Sequence, residues 1–232
     1  MAPMSTPPYS IRVSTRAKRL QLKVLPPGKV EVVVPKRVSL KHVPGFVAEH
    51  QHWLRAQVQR MTTIYAAEPL LPDIIRLPAV AEQWQVDHTR AERNRLRQSG
   101  ECRLQLSCAD QHHACGLLQQ WLQHHARRLL PPRLAQLSDA LGLPFNRVTV
   151  RAQKSRWGSC SARNNINLNR ALLFVSPGAL RYLMLHELCH TVHLNHSPRY
   201  WNLVASLMPD YRTYEAELRQ AMRVVPRWAL PG

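Results

Sequence analysis

The first half of the chain consists mainly of short segments in which apolar and polar residues alternate or run apolar, the pattern of β-strands. The predicted strands are residues 11–14, 20–24, 30–34, 74–77, 83–87 and 102–107. Between the two groups, residues 40–66 have apolar positions at helical spacing, with Val43, Val47, Trp53 and Leu54 on the side that we expect to be buried. The polar stretch 89–100 is expected to be an exposed hairpin turn.

Helical patterns dominate the second half. A long helix is expected from Gln111, with a break at Pro131 and Pro132 because proline disrupts helix interiors. Ser176 and Pro177 are typical of a helix start, and the apolar residues that follow predict a buried helix of about 16 residues. The remaining predicted elements are strands 148–153 and 166–169, joined by a loop, and helices 200–207 and 211–222. The tail from residue 226 is expected to be loose.

The predicted buried helix carries a pattern of metal-binding chemistry. His186 and His190 are four residues apart, so both imidazoles lie on one face of a helix and can reach one metal ion. Glu187 lies about 100° round the helix from His186, where its carboxylate can act as a general base. Buried histidines need polar partners, and a shared metal ion supplies them for both. The pattern predicts a catalytic zinc site in preference to a hydrogen-bonded pair of core histidines.

Two histidines further along the chain are candidates for the third metal ligand. His193 faces the same side as His190 but lies about 10 Å along the axis from His186, which is too far for metal–nitrogen bonds of about 2 Å. His196 can reach the ion if the helix ends near His193 and the chain turns back. The spacing of the three residues is also that of the metzincin motif, with His193 in place of its glycine. We expect His196 to be the ligand and His193 to support the site or donate to the transition state.

Composition limits the class of protein. The 232 residues are 45% hydrophobic, which is enough for one medium domain or two small ones, each with an apolar core. No run of about 18 apolar residues is present, so we expect no membrane span, and the start of the chain shows no apolar signal segment. The five cysteines form an odd set that is consistent with a reducing compartment, and the expected location is the cytoplasm.

The chain is also strongly basic. Lys and Arg total 32 against 14 Asp and Glu, which gives a formal net charge of +18. Such a surface attracts polyanions, and association with nucleic acid is therefore one interpretation. A solvated basic surface without a dedicated partner is the other, because no nucleic-acid-binding motif accompanies the charge.

Several motifs together resemble the YgjP-like metallopeptidase family. Residues 186–190, which read His-Glu-Leu-Cys-His, are followed by Asn195-His196-Ser197 and Tyr200-Trp201, and this order is similar to the family's metal-binding signature. Residues 151–161 and 166–169 are similar to two further signatures, whereas Arg170 stands where the family usually has tryptophan. The resemblance implies a zincin-like fold, with one zinc ion on His186, His190 and His196 and with Glu187 as the base. In its motif the family is related to SprT-like and WLM proteases, which act on proteins bound to DNA.

We expect an α+β fold in two parts. Residues 9–110 form a β-rich N-terminal subdomain with one long helix, and residues 111–225 form a zincin-like metallopeptidase domain in which a small sheet covers the zinc-binding helix. In zincin folds an edge strand beside that helix pairs with extended substrate, and residues 166–169 are the candidate for it. The candidate substrate-binding residues are Arg156, Trp157, Asn167 and His193. The alternative is that Trp157 is a core or lid aromatic residue and Arg156 is a surface cation.

The predicted function is hydrolysis of protein or peptide substrates. Zinc lowers the pKa of a bound water and polarises the substrate carbonyl, and Glu187 takes the water proton. One alternative is a zinc-dependent hydrolase of a phosphate-containing small molecule such as a nucleotide. Another is a nucleic-acid-associated protein that either cleaves proteins bound to DNA or uses zinc structurally. Structural zinc usually has four protein ligands, so three histidines with a poised glutamate favour an enzyme.

Overall fold

The computed structural model describes residues 7–25, 28–66 and 71–230. Within them the chain forms ten β-strands and six α-helices, and strands predominate in the first half. The predicted α+β class is therefore confirmed. The chain divides into two units, Met1–Pro69 and Leu70–Gly232.

The first unit contains a three-stranded sheet and two helices. Strands β1 (Tyr9–Ser14), β2 (Gln21–Leu25) and β3 (Lys29–Pro35) have β3 in the centre, parallel to β1 and antiparallel to β2. The single helix predicted over 40–66 is wrong, because α1 (Val43–Glu49) ends before α2 (Gln51–Ala66) begins. The expected burial of Trp53 is also wrong, because Trp53 lies about 100° round α2 from the buried Leu54 and is 45% exposed. Val43, Val47 and Leu54 are buried as expected.

The second unit begins with a four-stranded sheet. Its strands β4 (Ile74–Leu77), β5 (Glu82–Arg90), β6 (Arg95–Gln98) and β7 (Arg103–Cys108) are arranged in the order β4-β5-β7-β6. The exposed turn predicted for residues 89–100 is wrong in part, because β6 lies inside it and pairs antiparallel with β7. Leu96 is the sole apolar residue of β6, so the hydrophobic pattern does not reveal this edge strand.

A long helix, α3 (Gln111–Leu141), packs against this sheet. It continues through Pro131 and Pro132, so the predicted break is wrong. The carbonyls that lose their helical partners belong to the exposed Arg127 and Arg128, where solvent can hydrogen-bond them. Neither α3 nor any other helix of the described ranges is long and apolar enough to span a bilayer.

The sheet and α3 share one apolar core. Trp84 and Leu104 of the sheet belong to the same buried cluster as Leu118 and Leu122 of α3. This packing places residues 74–108 with the second unit, so the observed division falls at 69/70, earlier than the expected boundary at 110/111.

The rest of the second unit carries the predicted metal-binding segment. Strands β8 (Arg147–Arg151), β9 (Gly158–Cys160) and β10 (Asn165–Asn169) form a sheet in the order β8-β10-β9. The expectation that residues 166–169 form the edge strand is wrong, because β10 is flanked on both sides and β9 is the strand that lies against the next helix. The last helices are α4 (Pro177–Cys189), α5 (Pro198–Leu207) and α6 (Tyr211–Ala221).

The C-terminal segment is held in the core, which makes the predicted loose tail wrong for the residues up to Leu230. Trp228 and Ala229 are buried. The Gln119 side-chain amide donates to the carbonyls of Trp228 (2.8 Å) and Leu230 (2.9 Å), and Arg170 donates to that of Ala229 (3.1 Å). Arg170, only 6% exposed, therefore serves to fasten the tail.

Candidate metal centre

Helix α4 presents the His-Glu-x-x-His segment at its C-terminal end. Its first turn is capped by Ser176, whose hydroxyl accepts from the Ala179 amide (3.1 Å) and donates to Glu217 of α6 (2.7 Å). The helix ends at Cys189 after 13 residues, with His190 at its C-cap, earlier than the predicted end near His193. The earlier end lets the chain turn back directly after His190.

The turn brings three imidazoles together. The nearest ligand atoms of His186, His190 and His196 all lie within 4.8 Å of one another, and the Nε2 atoms of His186 and His196 are 3.2 Å apart. Two nitrogens bound to one tetrahedral zinc ion at 2.0–2.1 Å are separated by about 3.3 Å. His193 instead contributes its main chain, because its carbonyl is 3.0 Å from Nδ1 of His190. The spacing of this cluster thus fits a metal ion.

The protonation of these imidazoles also suits a metal ion. Burial, aided by the neighbouring His190 and His196, lowers the pKa of His186 to about 3. Burial likewise lowers the pKa of His190. Because both rings are neutral, they offer nitrogen lone pairs. The Nδ1 of His190 faces the His193 carbonyl, and the Nδ1 of His186 is 3.5 Å from the Tyr182 hydroxyl, so both Nε2 atoms remain for a metal.

Glu187 is a buried carboxyl group beside these histidines. It is 3% exposed, and its Oε2 has no hydrogen-bond partner among the described residues. Burial raises the pKa of Glu187 to about 8, against the opposing effect of the positive charge on Arg156. A carboxyl group with a raised pKa and one oxygen without a hydrogen-bond partner among the described residues is suited to accepting a proton from water.

Gly158 of β9 provides the space for this carboxyl group, and the sequence analysis did not identify it as a site residue. A Cβ at this position would lie 2.9 Å from both Cγ and Cδ of Glu187, and closer still to Oε1. Gly158 is the first residue of β9, a short strand inside the stretch that was predicted to be a loop, so no hydrophobic pattern pointed to this close approach.

Two aromatic residues of α5 stack on the histidines, and the sequence analysis included them in the family signature without giving them a role. The Tyr200 ring stacks on His190 with centroids 4.5 Å apart, and its hydroxyl donates to the His186 carbonyl (3.1 Å). The Trp201 ring stacks on His196 at 5.5 Å. The signal for their role is that an aromatic pair follows the third histidine by four and five residues, at the start of the next helix.

The predicted substrate-binding residues are placed around the site in different ways. Arg156 is exposed, and its charge acts on Glu187. The indole N–H of Trp157 donates to the Leu218 carbonyl of α6 (3.0 Å). The Asn167 side chain accepts from the Thr149 hydroxyl and donates to Ser159 (3.4 Å). The polar groups of Trp157 and Asn167 are thus engaged within the fold.

The loop that carries Arg156 and Trp157 is fixed by one further residue that was missed. Asn169, only 1% exposed, donates through its side-chain amide to the carbonyls of Gln153 and Arg156, both at 2.9 Å. Its main-chain N–H donates to the Trp157 carbonyl (2.8 Å). The end of β10 therefore holds the loop in place beside Glu187.

Comparisons with known proteins identify one matching family and two similar solved structures. The model of the YgjP-like metallopeptidase domain matches residues 18–221. The metallopeptidase zymogen of Pyrococcus abyssi abylysin is 25% identical over 42% of this chain and 97% of that chain, with a TM-score of 0.36. The zymogen of Methanocaldococcus jannaschii jannalysin is 18% identical over 39% of this chain and 94% of that chain, with a TM-score of 0.35.

The comparison with curated proteins gave no significant match. The family model nevertheless extends over most of the chain and includes both units in part. It also includes the whole His186, His190 and His196 cluster. The chain therefore belongs to the YgjP-like metallopeptidase family, and it is a metal-dependent hydrolase of the peptidase class.

Proposed function

We propose that the protein is a zinc-dependent peptidase in which Glu187 is the general base and His186, His190 and His196 are the metal ligands. The observation that carries this proposal is the cluster of three imidazoles within 4.8 Å beside a buried carboxyl group whose Oε2 lacks a partner among the described residues. Three histidines leave a position open, which is typical of catalytic and not of structural zinc.

In the proposed hydrolysis the metal ion and Glu187 have different roles. Zinc, when bound, lowers the pKa of water and polarises the substrate carbonyl. Glu187 takes the water proton and returns it to the leaving amine, so it acts first as a base and then as an acid. Burial raises the pKa of Glu187, which helps the carboxyl group to keep the proton taken from water until it passes to the leaving amine.

We place the peptide substrate along β9. Within the described residues β9 pairs with β10 along one edge, and it lies against α4, so its other edge is the one that an extended peptide can join. β10 is unsuited to this role because both of its edges are already paired. The exposed Arg156, next to β9, can attract the acidic groups of a substrate.

The test compares native protein with Glu187→Gln after loading with zinc. Cleavage of casein, an unstructured protein, is followed by mass spectrometry, and bound zinc is measured by elemental analysis. Glu187→Gln is expected to keep its zinc and lose turnover, because the amide cannot accept the proton. Glu92→Gln, which changes an exposed carboxylate, serves as the matched control and is expected to remain active. Full activity of Glu187→Gln would rule out the mechanism.

The same protein preparations separate the peptidase from a nucleotide hydrolase. The net charge of +18 and the exposed Arg156 near Glu187 are the features that favour a phosphate-containing substrate. Release of phosphate or pyrophosphate from nucleoside triphosphates, lost in Glu187→Gln and without any peptide cleavage, would replace the peptidase proposal. Peptide cleavage alone would exclude the nucleotide hydrolase.

Nucleic-acid association is a separate proposal that rests on the excess of basic residues, 32 against 14 acidic ones. Binding of a labelled DNA duplex should weaken as salt rises if lysines and arginines contact its phosphates. Location in the cytoplasm stays a prediction from the cysteine content.

A further inference from the structure

A continuous stack of aromatic rings connects the third histidine back to α4. His196 stacks on Trp201 of α5 (5.5 Å, 24° between planes), and Trp201 stacks on Tyr211 of α6 (5.5 Å, 21°). Tyr211 stacks in turn on Tyr182 of α4 (6.2 Å, 23°). The Tyr182 hydroxyl lies 3.5 Å from Nδ1 of His186, which closes the chain of contacts on the first ligand.

His196 differs from the other two histidines in how its ring is oriented. The ring of His190 is fixed through Nδ1 by the His193 carbonyl, and that of His186 faces the Tyr182 hydroxyl. His196 is exposed and lies between α4 and α5, and its hydrogen-bond-range neighbour among the described residues is Nε2 of His186. A metal-binding histidine is usually oriented by a hydrogen bond to its second nitrogen, and here ring stacking takes that place.

We propose that Trp201 and Tyr211 are positioning residues that, together with Tyr182, hold His196 at metal-binding distance from His186. The inference rests on the proposed function only in assuming that the three histidines bind the metal ion. It assigns a role in the metal centre to Tyr211, at the start of α6 and outside the metal-binding signature.

The physical basis is the pairing of ring faces. Stacked aromatic rings in offset geometry attract each other beyond the area that they bury. An imidazole that binds a divalent cation becomes electron-poor, and the face of an indole attracts such a group more strongly than other aromatic rings do. Trp201 therefore favours the metal-bound state of His196, and the buried Tyr211 stacks on the same indole and helps to hold it in place.

The test measures zinc affinity by competition with a chromogenic chelator, and coordination by the visible spectrum of the cobalt-substituted protein. Trp201 is half-buried, so Trp201→Leu is expected to fold while binding zinc about tenfold more weakly, with an altered cobalt spectrum. Trp201→Phe keeps a ring and is expected to recover most of the affinity. Trp121→Leu is the matched control, because Trp121 is also half-buried and stacks on a histidine, His125 (5.1 Å, 15°), outside the metal cluster. Its zinc affinity should equal that of the native protein.

Tyr211→Leu is the independent second variant, and its fold is checked by circular dichroism. The proposal is overturned if either folded variant, Trp201→Leu or Tyr211→Leu, binds zinc as tightly as the native protein with an unchanged cobalt spectrum. These readouts do not depend on turnover. If the native protein cleaves no peptide and both variants bind zinc more weakly than it does, the peptidase proposal is contradicted and the positioning role of Trp201 and Tyr211 still stands.

Discussion

The contact between Gly158 and Glu187 gives a sharp prediction, because one added methyl group acts on the proposed general base without touching a proposed metal ligand. Gly158→Ala places a Cβ 2.9 Å from Cγ and Cδ of Glu187. The φ of Gly158 is not in the left-handed region, so alanine itself is tolerated by the backbone. The perturbation is therefore one of space alone.

The size of the effect follows from these distances. Carbon atoms pack at about 3.5–4.0 Å, so the Glu187 side chain has to retreat by about 0.6–1.1 Å. Glu187 is buried in α4 against β9 and has little room to move, and forcing an extra methyl into such packing costs about 1–3 kcal/mol of stability. A misplacement of about 1 Å at a reacting group can lower the rate about 100-fold. We expect a loss of that order in kcat/KM.

The assay pairs kcat/KM for a quenched fluorescent peptide, chosen from sites cleaved in casein, with a zinc titration of each variant. Gly158→Ala should bind zinc as the native protein does, because no histidine is displaced. Gly116→Ala is the matched control: Gly116 lies within α3, and a Cβ there meets no atom within 4 Å. Alanine is expected to leave activity unchanged and to stabilise that helix by about 0.5–1 kcal/mol.

Two outcomes would refute the reasoning. Native kcat/KM in a folded Gly158→Ala protein would show that the position of the Glu187 carboxyl group does not limit catalysis. Loss of zinc together with activity would show that the methyl group disturbs the histidine cluster, and the effect could no longer be assigned to Glu187.

Two further predictions concern the histidines. Losing a residue outside the ligand set typically weakens zinc binding about 10–100-fold, and His196→Ala should weaken it by more than that. His193→Ala keeps the main-chain carbonyl that faces His190 and should bind zinc normally. Competition titration measures both affinities, and equal losses would contradict the assignment of His196 as the ligand. Burial lowers the pKa of His125, although its Nε2–H donates a hydrogen bond to the Glu82 carboxylate, which opposes the shift. The unfolded chain therefore takes up a proton first, and the free energy of unfolding should fall as pH drops below about 6.5. His125→Gln should flatten that dependence in urea unfolding, and an unchanged slope would contradict it.

The chemistry-bearing residues could be predicted because their arrangement is local. His186, Glu187 and His190 occupy one helix, whose period fixes their relative directions whatever packs around them. The reach of a metal–nitrogen bond favoured His196 over His193 as the third ligand, and the structure brings His196 to within 4.8 Å of the other two histidines. The strands in which apolar and polar residues alternate could also be predicted, because this alternation is typical of a sheet with one buried face.

Prediction failed where distant parts of the chain decide the outcome. Strand β6 forms because β7 offers an edge, although its own side chains are almost all polar. The tail is held by Gln119 and Arg170, which are 109 and 59 residues away from the groups that they bind. No pattern within the tail itself reveals those partners.

The sequence alone thus determined which residues we propose as metal ligands and general base, because the regular period of a helix fixes the relative directions of residues at a given spacing. Only the tertiary structure decided how they are held: that β9 and not β10 faces α4, that Gly158 makes room for Glu187, and that Trp201 and Tyr211 support His196. The physical reason is that strand order, close approach and ring stacking depend on contacts between segments far apart in the chain. These contacts contribute free energy only when the segments pack together, so the sequence of one segment does not reveal them.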